Sequence, residues 1–311
     1  MATFKDWGVK IRQYPDKNYK AIWSDLKIVR LGSGVAKELD PDRSEFYDVG
    51  IGTKCNIRCP FCYTNSGSDR ENYRDICETW SSWMSTFPDD KVEGNIRWTH
   101  KPFQIALGST GEPTIHPDFI RFLKVVYESG VVPNYTTNGV ILSESEEILK
   151  ETGDYCGAVA VSLGNKEVRH RAYRAIDRLL SLGDNIKTTI HHLIENKEDV
   201  DEFIKVALSY GAKIHYHVLL PLMRHGRSET GFNDSRIFDY LVDRINREGI
   251  LNIAFGANFV KYLENTDKIR TWLYPPESLS KNIILKPGQV IITPSSFNLK
   301  PSKIIDLYGD T

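Results

Sequence analysis

The chain has 311 residues, with 40 Lys and Arg against 41 Asp and Glu, and a formal net charge of −1. That balance gives no electrostatic drive towards nucleic acid or an anionic membrane, and no basic tail or long acidic run is present. The length allows one large α/β domain or two small ones, and is enough to bury a sizeable core.

The first residues lack the apolar stretch of a secretory signal, and no apolar run approaches a membrane span. Three of the five cysteines are clustered, which is not a disulfide framework. The expectation is a cytoplasmic protein.

Residues 1–45 are mixed in charge and aromatic, with a strand or hairpin expected around residues 27–31 before Gly32-Ser33-Gly34 turns the chain. Asp40-Pro41-Asp42-Arg43-Ser44 reads as a loop into the main domain. From Phe46 the pattern alternates. A strand at 46–52 leads into Cys55-Asn56-Ile57-Arg58-Cys59-Pro60-Phe61-Cys62-Tyr63, which brings three thiols within eight residues. Thiolates are soft ligands suited to zinc, copper(I) or iron–sulfur clusters. The residues alone leave three readings: a cluster with one iron lacking a protein ligand, a zinc knuckle completed by a distant histidine, Cys77 or Cys156, and a redox Cys59-Pro60-Phe61-Cys62 pair.

A helix is expected over 69–87, where Tyr73, Ile76, Cys77, Trp80, Met84 and Phe87 form one apolar stripe. Cys77 then belongs to packing. Strands follow at 103–107, 132–137, 156–162, 186–193 and 213–220, with helices at 117–129, 143–152, 166–182 and 198–210 between them. Such βα units imply a parallel sheet. A helix at 235–248 and an extended piece at 250–256 come next, and the proline-broken tail is expected to cover the bottom or side of the sheet. The organisation reads as an extension (1–45), a core (46–225) and a covering region (226–311).

Ligands of parallel α/β folds sit at the C-terminal ends of the strands. There the sequence carries Gly108-Ser109-Thr110-Gly111-Glu112-Pro113, Thr136-Thr137-Asn138-Gly139, Val159-Ala160-Val161-Ser162 and Val218-Leu219-Leu220-Pro221. Strand alternation predicts an inner wall of Lys187, Thr189 and His191 on the fifth strand and Lys213, His215 and His217 on the sixth, with Ile214, Tyr216 and Val218 against the helices. His215 and His217, with His191, are candidate substrate-side residues. Arg224, His225 and Arg227 are candidates for an anionic or carbonyl-rich part of the substrate. His100 and His116 read as loop residues.

The cysteine spacing, with Phe61 before the third thiol, resembles the signature of the radical S-adenosylmethionine (SAM) superfamily, closest to its peptide-modifying maturases and its molybdenum-cofactor cyclase. The resemblance covers residues 47–225. It implies an α/β fold, a partial open (β/α)6 TIM-like barrel of parallel strands with N- and C-terminal additions. It implies that Cys55, Cys59 and Cys62 ligate one 4Fe–4S cluster, whose remaining iron takes the amino and carboxylate groups of SAM. Phe61 lies beside them. Gly111 and Glu112 are similar to the family's Gly-Gly-Glu, with Thr110 in place of the first glycine, and are expected at the SAM amino group. Thr137 and Asn138 match a loop that faces SAM. Ser162, with Arg174 in the next helix, is expected at its carboxylate or ribose, and Leu220 at adenine. The fifth strand departs from the family by lacking a glycine motif. No cysteine follows Cys156, so no auxiliary cluster is expected.

The activity implied is reductive cleavage of SAM to methionine and a 5′-deoxyadenosyl radical, with a flavodoxin- or ferredoxin-like reductant and a peptide or protein substrate. The alternatives are a small nucleotide- or sugar-type substrate, and a non-catalytic zinc- or cluster-binding module.

Overall fold

A computed structural model of the chain describes residues 4–14, 19–32, 44–263, 280–293 and 301–307. Strands β1 (Val9–Tyr14), β2 (Tyr19–Ser24) and β3 (Lys27–Gly32) precede the first strand of the main sheet, β4 (Phe46–Gly50). Helix α1 (Ile76–Ser85) and a hairpin of β5 (Lys91–Glu93) and β6 (Ile96–Trp98) follow. The chain then runs β7 (Gln104–Leu107), α2 (Phe119–Glu128), β8 (Val132–Thr137), α3 (Glu146–Tyr155), β9 (Ala158–Ser162), α4 (Arg169–Leu180) and β10 (Lys187–Ile194). After these come α5 (Lys197–Tyr210), β11 (Tyr216–Pro221), α6 (Ser235–Glu248), β12 (Ile253–Phe255) and α7 (Val260–Leu263). The last described strands are β13 (Ser280–Lys286), β14 (Gln289–Thr293) and β15 (Lys303–Asp306).

The main sheet has the order β12-β11-β10-β9-β8-β7-β4-β13-β14-β15, and among the described residues its two edges are not joined. All pairs from β12 to β13 are parallel, while β14 and β15 add antiparallel strands at one edge. The alternating βα order is therefore realised as an open α/β sheet. Its helix-facing side holds the largest core, where Tyr47, Val49, Ile105, Tyr135, Val159, Val161 and Ile190 meet Trp80, Phe122 and Ile176 from the helices. Local signals start and stop the helices. Ser145 caps α3 through the Ile148 N–H, and Asn196 and Asp199 form a reciprocal capping box on α5.

The first helix begins later than its apolar stripe suggests. Residues 69–75 instead run back along the cysteine loop, where Gly52 bridges Asn72 and the Thr53 N–H donates to the Glu71 carbonyl. Asp75, in the left-handed region at φ 56°, then turns the chain into α1. The strand expected around residues 27–31 is β3, in a second sheet of order β3-β2-β1-β6-β5. The β5–β6 hairpin in that sheet lies where no element was expected. This sheet lies against the N-terminal ends of the main strands: Trp23 and Ala21 pack on Phe103 and Val132, and the Leu26 carbonyl accepts from Lys187 Nζ at 2.7 Å. The proline-rich part of the tail around Pro275-Pro276 lies outside the described residues. No helix among the described residues is long and apolar enough to cross a membrane.

Candidate functional site

The cysteine loop leaves β4 and is held by backbone bonds from its own return segment. The Cys55 N–H donates to the Gly67 carbonyl at 3.0 Å, and the Gly67 N–H to the Thr53 carbonyl at 3.3 Å. Cys55, Cys59 and Cys62 are free thiols, partly buried, and each meets a donor. Asn138 Nδ2 approaches Cys55 Sγ at 3.9 Å, Asn165 Nδ2 lies 3.5 Å from Cys59 Sγ, and the Ser66 N–H lies 3.4 Å from Cys62 Sγ. Burial pushes the Cys55 thiol up to about 11 and raises that of Cys59, so neither ionises readily without a metal. Coordination inverts that preference by deprotonating the thiol outright.

The residues fit a 4Fe–4S group held by three sulfurs. Three thiols share one short loop, and donors of the kind that tune cluster potentials reach each sulfur. Of the side chains that could complete a zinc knuckle, two thiols are taken up elsewhere. Cys77 and Cys156 lie buried in the core, as packing.

Strand ends bring further residues beside this loop. After β7, Gly111 has φ +69°, and a Cβ there would lie 2.7 Å from the carbonyl oxygens of both Gly52 and Lys54, so only glycine fits. Glu112 follows, buried, and its N–H donates to the Lys54 carbonyl at 2.9 Å. Its Oε1 accepts from Thr114 Oγ1 at 2.6 Å and Thr137 Oγ1 at 2.7 Å, and its Oε2 from the Asn138 N–H at 2.8 Å. Burial raises the Glu112 carboxyl, and these donors partly offset the rise. Glu112 thus ties the loops after β7 and β8 together, while Oε2, with one donor, keeps capacity for another. Asn138 also donates to Asn56 Oδ1 at 2.8 Å, joining the third strand end to the cysteine loop.

Below the loop lies a cavity of about 450 Å³. Phe61, Tyr63, Ser162, His191, Leu220 and Met223 line it, together with Asp48 from β4. Phe61, Ser162, His191 and Leu220, from four different segments, thus share one cavity wall. Burial pushes His191 down to about 4, so its ring is neutral at physiological pH. Asp48 was missed; its only sequence signal is a carboxylate between the apolar Tyr47 and Val49. Burial pushes it up to about 7.

Several expected residues lie elsewhere. In the register of β10 with β11, His191 pairs with Val218 and Leu193 with Leu220, whereas Ile190 pairs with His217 and His192 with Leu219. In-register residues of neighbouring strands share a face, so Tyr216, Val218 and Leu220 line the inner side and His217 faces the helices. There His217 is fully buried, with Nδ1 at 3.0 Å from His192 Nε2 and Phe203 of α5 beside its ring. The inner-wall assignment of His217 is corrected on this ground: a partnered imidazole pair is stable on the core face, which hydrophobicity alone does not reveal. His215 precedes β11 and lines a surface hollow with Gly211 and Leu251, away from the cysteine loop. Arg174 sits on the exposed face of α4 and does not line the cavity. Arg224 lines a neighbouring hollow that shares Pro221, Leu222, Met223 and Asn258 with the cavity.

Arg227 points at the cysteine loop rather than at the cavity. Its Nε donates to the Cys59 carbonyl at 2.8 Å, and its Nη1 to the Ser66 carbonyl at 2.7 Å and Asn65 Oδ1 at 3.1 Å. His116 is a buried loop residue, with Nε2 2.9 Å from the Tyr73 carbonyl.

A profile of the Radical SAM superfamily matches residues 49–207. Sequence relatives include the GTP 3′,8-cyclase of Nautilia profundicola, 24% identical over 221 residues, covering 66% of this chain and 64% of the relative. Mycofactocin maturase MftC of Mycolicibacterium smegmatis is 25% identical over 213 residues, covering 62% of this chain and 50% of the relative. Among solved structures, Streptococcus suis SuiB bound to precursor peptide SuiA superposes with a TM-score of 0.59 at 15% identity, covering 80% of this chain and 59% of that one. At that identity the likeness is one of fold. The matches span about half to two thirds of the length of these relatives. With three thiols on one loop, donors at each sulfur and the profile running from β4 through most of α5, the chain belongs to the radical SAM superfamily, whose members work with a 4Fe–4S cluster and SAM.

Proposed function

We propose that this chain is a radical SAM enzyme that modifies a peptide or protein, with residues 46–225 as the catalytic core. The observation that carries this reading is the cysteine loop placed directly above a cavity that begins at Phe61 and Tyr63. When bound, the cluster and SAM supply an electron and the 5′-deoxyadenosyl radical that takes a hydrogen atom from a C–H bond of the substrate.

The protein's own part is to hold, orient and exclude water. Cys55, Cys59 and Cys62 hold the cluster, with Asn138, Asn165 and the Ser66 N–H at their sulfurs. Gly111 and Glu112 offer backbone and carboxylate acceptors for the SAM ammonium, and Ser162 offers a hydroxyl from the cavity wall. Phe61, Leu220, Leu222 and Met223 make the upper cavity apolar, which keeps water from a reactive carbon centre. Neutral His191 serves as a hydrogen-bonding group rather than a cation.

The peptide reading is supported by likeness to a maturase and by the fold of a peptide-bound neighbour. A small nucleotide substrate is the second reading, favoured by an equally extensive likeness to GTP 3′,8-cyclases. The proposed electron donor is a flavodoxin- or ferredoxin-like protein, and the proposed location is the cytoplasm, whose reducing poise suits free thiols.

The test is anaerobic preparation and reconstitution, followed by iron and sulfide assay and SAM turnover under dithionite. About four irons per chain, with formation of methionine and 5′-deoxyadenosine, is expected. Stoichiometric zinc without iron, or no SAM cleavage by fully reconstituted protein, overturns the reading.

A further inference from the structure

We propose that the floor of the cavity is a recognition subsite for a cationic nitrogen group, the ammonium of a lysine or the guanidinium of an arginine in the substrate, held by Asp48, which lines the cavity, with Asn282 beside it on the next strand. This deepens the peptide reading and rests on it for the nature of the guest.

The strands dictate the placement. On β4, Tyr47 and Val49 are buried in the helix-facing core, which turns Asp48 to the inner side, where it lines the cavity. On β13, Ile283 and Leu285 enter the same core, which turns Asn282 inward as well. The two strands are parallel with Asp48 directly opposite Asn282. In-register residues on adjacent strands share a face, and the strands lie about 4.8 Å apart.

Both groups present acceptors that nothing satisfies. Asn282 Oδ1 is buried with no hydrogen-bond partner. Among the described residues Asp48 has no hydrogen-bonding or ion-pairing partner. Buried acceptors side by side call for donors, and a buried carboxylate calls for positive charge as well. No hydrogen bond from the surrounding strands reaches the Asn282 oxygen, and they bring no positive charge to Asp48. Beside Asp48 in register on β7 is Ala106, a side chain with no polar group, and Asn134 of β8 stands beyond it. The nearest lysine along that row, Lys187, spends its ammonium on the Leu26 carbonyl at 2.7 Å. The imidazole of His191 is neutral. The rise of the Asp48 carboxyl to about 7 agrees with a carboxylate that lacks its counter-charge. A neutral amide guest offers N–H groups but leaves the carboxylate uncompensated. An ammonium or guanidinium answers both needs.

The test uses the reconstituted holoenzyme with SAM bound, and ligand-observed NMR with three tripeptide probes: Gly-Lys-Gly, Gly-Arg-Gly and Gly-norleucine-Gly. Norleucine keeps the lysine stem without its charge. At least one cationic probe is expected to bind about 10-fold or more tighter than the norleucine probe, the range of one charge-assisted contact. In Asp48→Asn, compared at equal iron content, that preference falls to within about 2-fold, and in Asn282→Asp it rises. Equal binding of all three probes by the wild type, or a preference that survives Asp48→Asn, overturns the proposal. SAM cleavage without peptide is scored separately, so loss of the enzyme reading and loss of the subsite are distinct results.

Discussion

At the scale of the residue, Arg227 is the side chain that most changes how the cysteine loop is understood. Its guanidinium reaches Cys59, Asn65 and Ser66, and its own N–H donates to the Cys62 carbonyl at 3.0 Å. Gly226 makes this approach possible: with φ +64°, a Cβ there would lie 2.2 Å from the Cys62 oxygen. A planar fork can serve several acceptors at once, which a lysine ammonium cannot reproduce. Arg227→Ala is expected to cost about 2–3 kcal/mol in chemical denaturation. It should also lower the iron retained after desalting, and Arg227→Lys should restore only part of it. Unchanged iron retention in the alanine variant would remove Arg227 from the site. The sequence showed an arginine beyond the sixth strand but assigned it to substrate, because a contact spanning 168 residues leaves no local pattern. The thiols stood out as a cluster within eight residues, whereas Gly111 and Glu112 were picked out by the likeness of their loop to the family's Gly-Gly-Glu.

At the scale of the element, β11 shows where alternation misleads. The rule that apolar residues face the helices holds for β9, whose inner positions are Ala158, Ala160 and Ser162, and already slips on β10, where His192 enters the core and Leu193 lines the cavity. It inverts on β11, where Tyr216 and Val218 line the inner side and His217 enters the core. The His192–His217 pair makes that burial tolerable by satisfying one nitrogen of each ring. Its cost appears in acid. Burial pushes His217 down to about 4 from an ordinary 6.5, so stability is fully present above pH 6.5 and is lost as pH falls towards 4, where the unfolded chain binds a proton that the folded ring refuses. His192 is shifted in the same direction, by burial first and by the neighbouring His217 second. Asp48 and Glu112, raised by burial, act with the opposite sign, so the comparison with a variant is what isolates the pair. The fall in melting temperature between pH 7 and pH 5 is expected to be smaller in His217→Gln than in the wild type. Parallel pH profiles for the two proteins would refute this.

At the scale of the whole molecule, the repeated βα units were legible because each is local: a strand, a loop and a helix within a short window. Of the additions only β3 was legible, and their placement was not, because it is defined by what they pack on. The N-terminal sheet lies under the main strands through Trp23 and Leu26, and β13 extends the sheet beside β4 from more than two hundred residues away in sequence. Burying Ile283 and Leu285 against α1 makes that distant strand part of the central core. Ile283→Ala or Leu285→Ala is therefore expected to lower unfolding free energy by about 2–5 kcal/mol, read from denaturant titration. A loss under about 1 kcal/mol would mean that the tail only rests on the sheet.

The bracing of the cysteine loop from so far downstream also bears on biosynthesis. The thiols leave the ribosome 168 residues ahead of the guanidinium that fixes the carbonyl of Cys59. At roughly 5–20 residues per second, that interval is about 10–30 s. Until it ends the nascent loop lacks its brace, so cofactor delivery during translation would meet an unshaped receptacle, and assembly is better suited to the released chain.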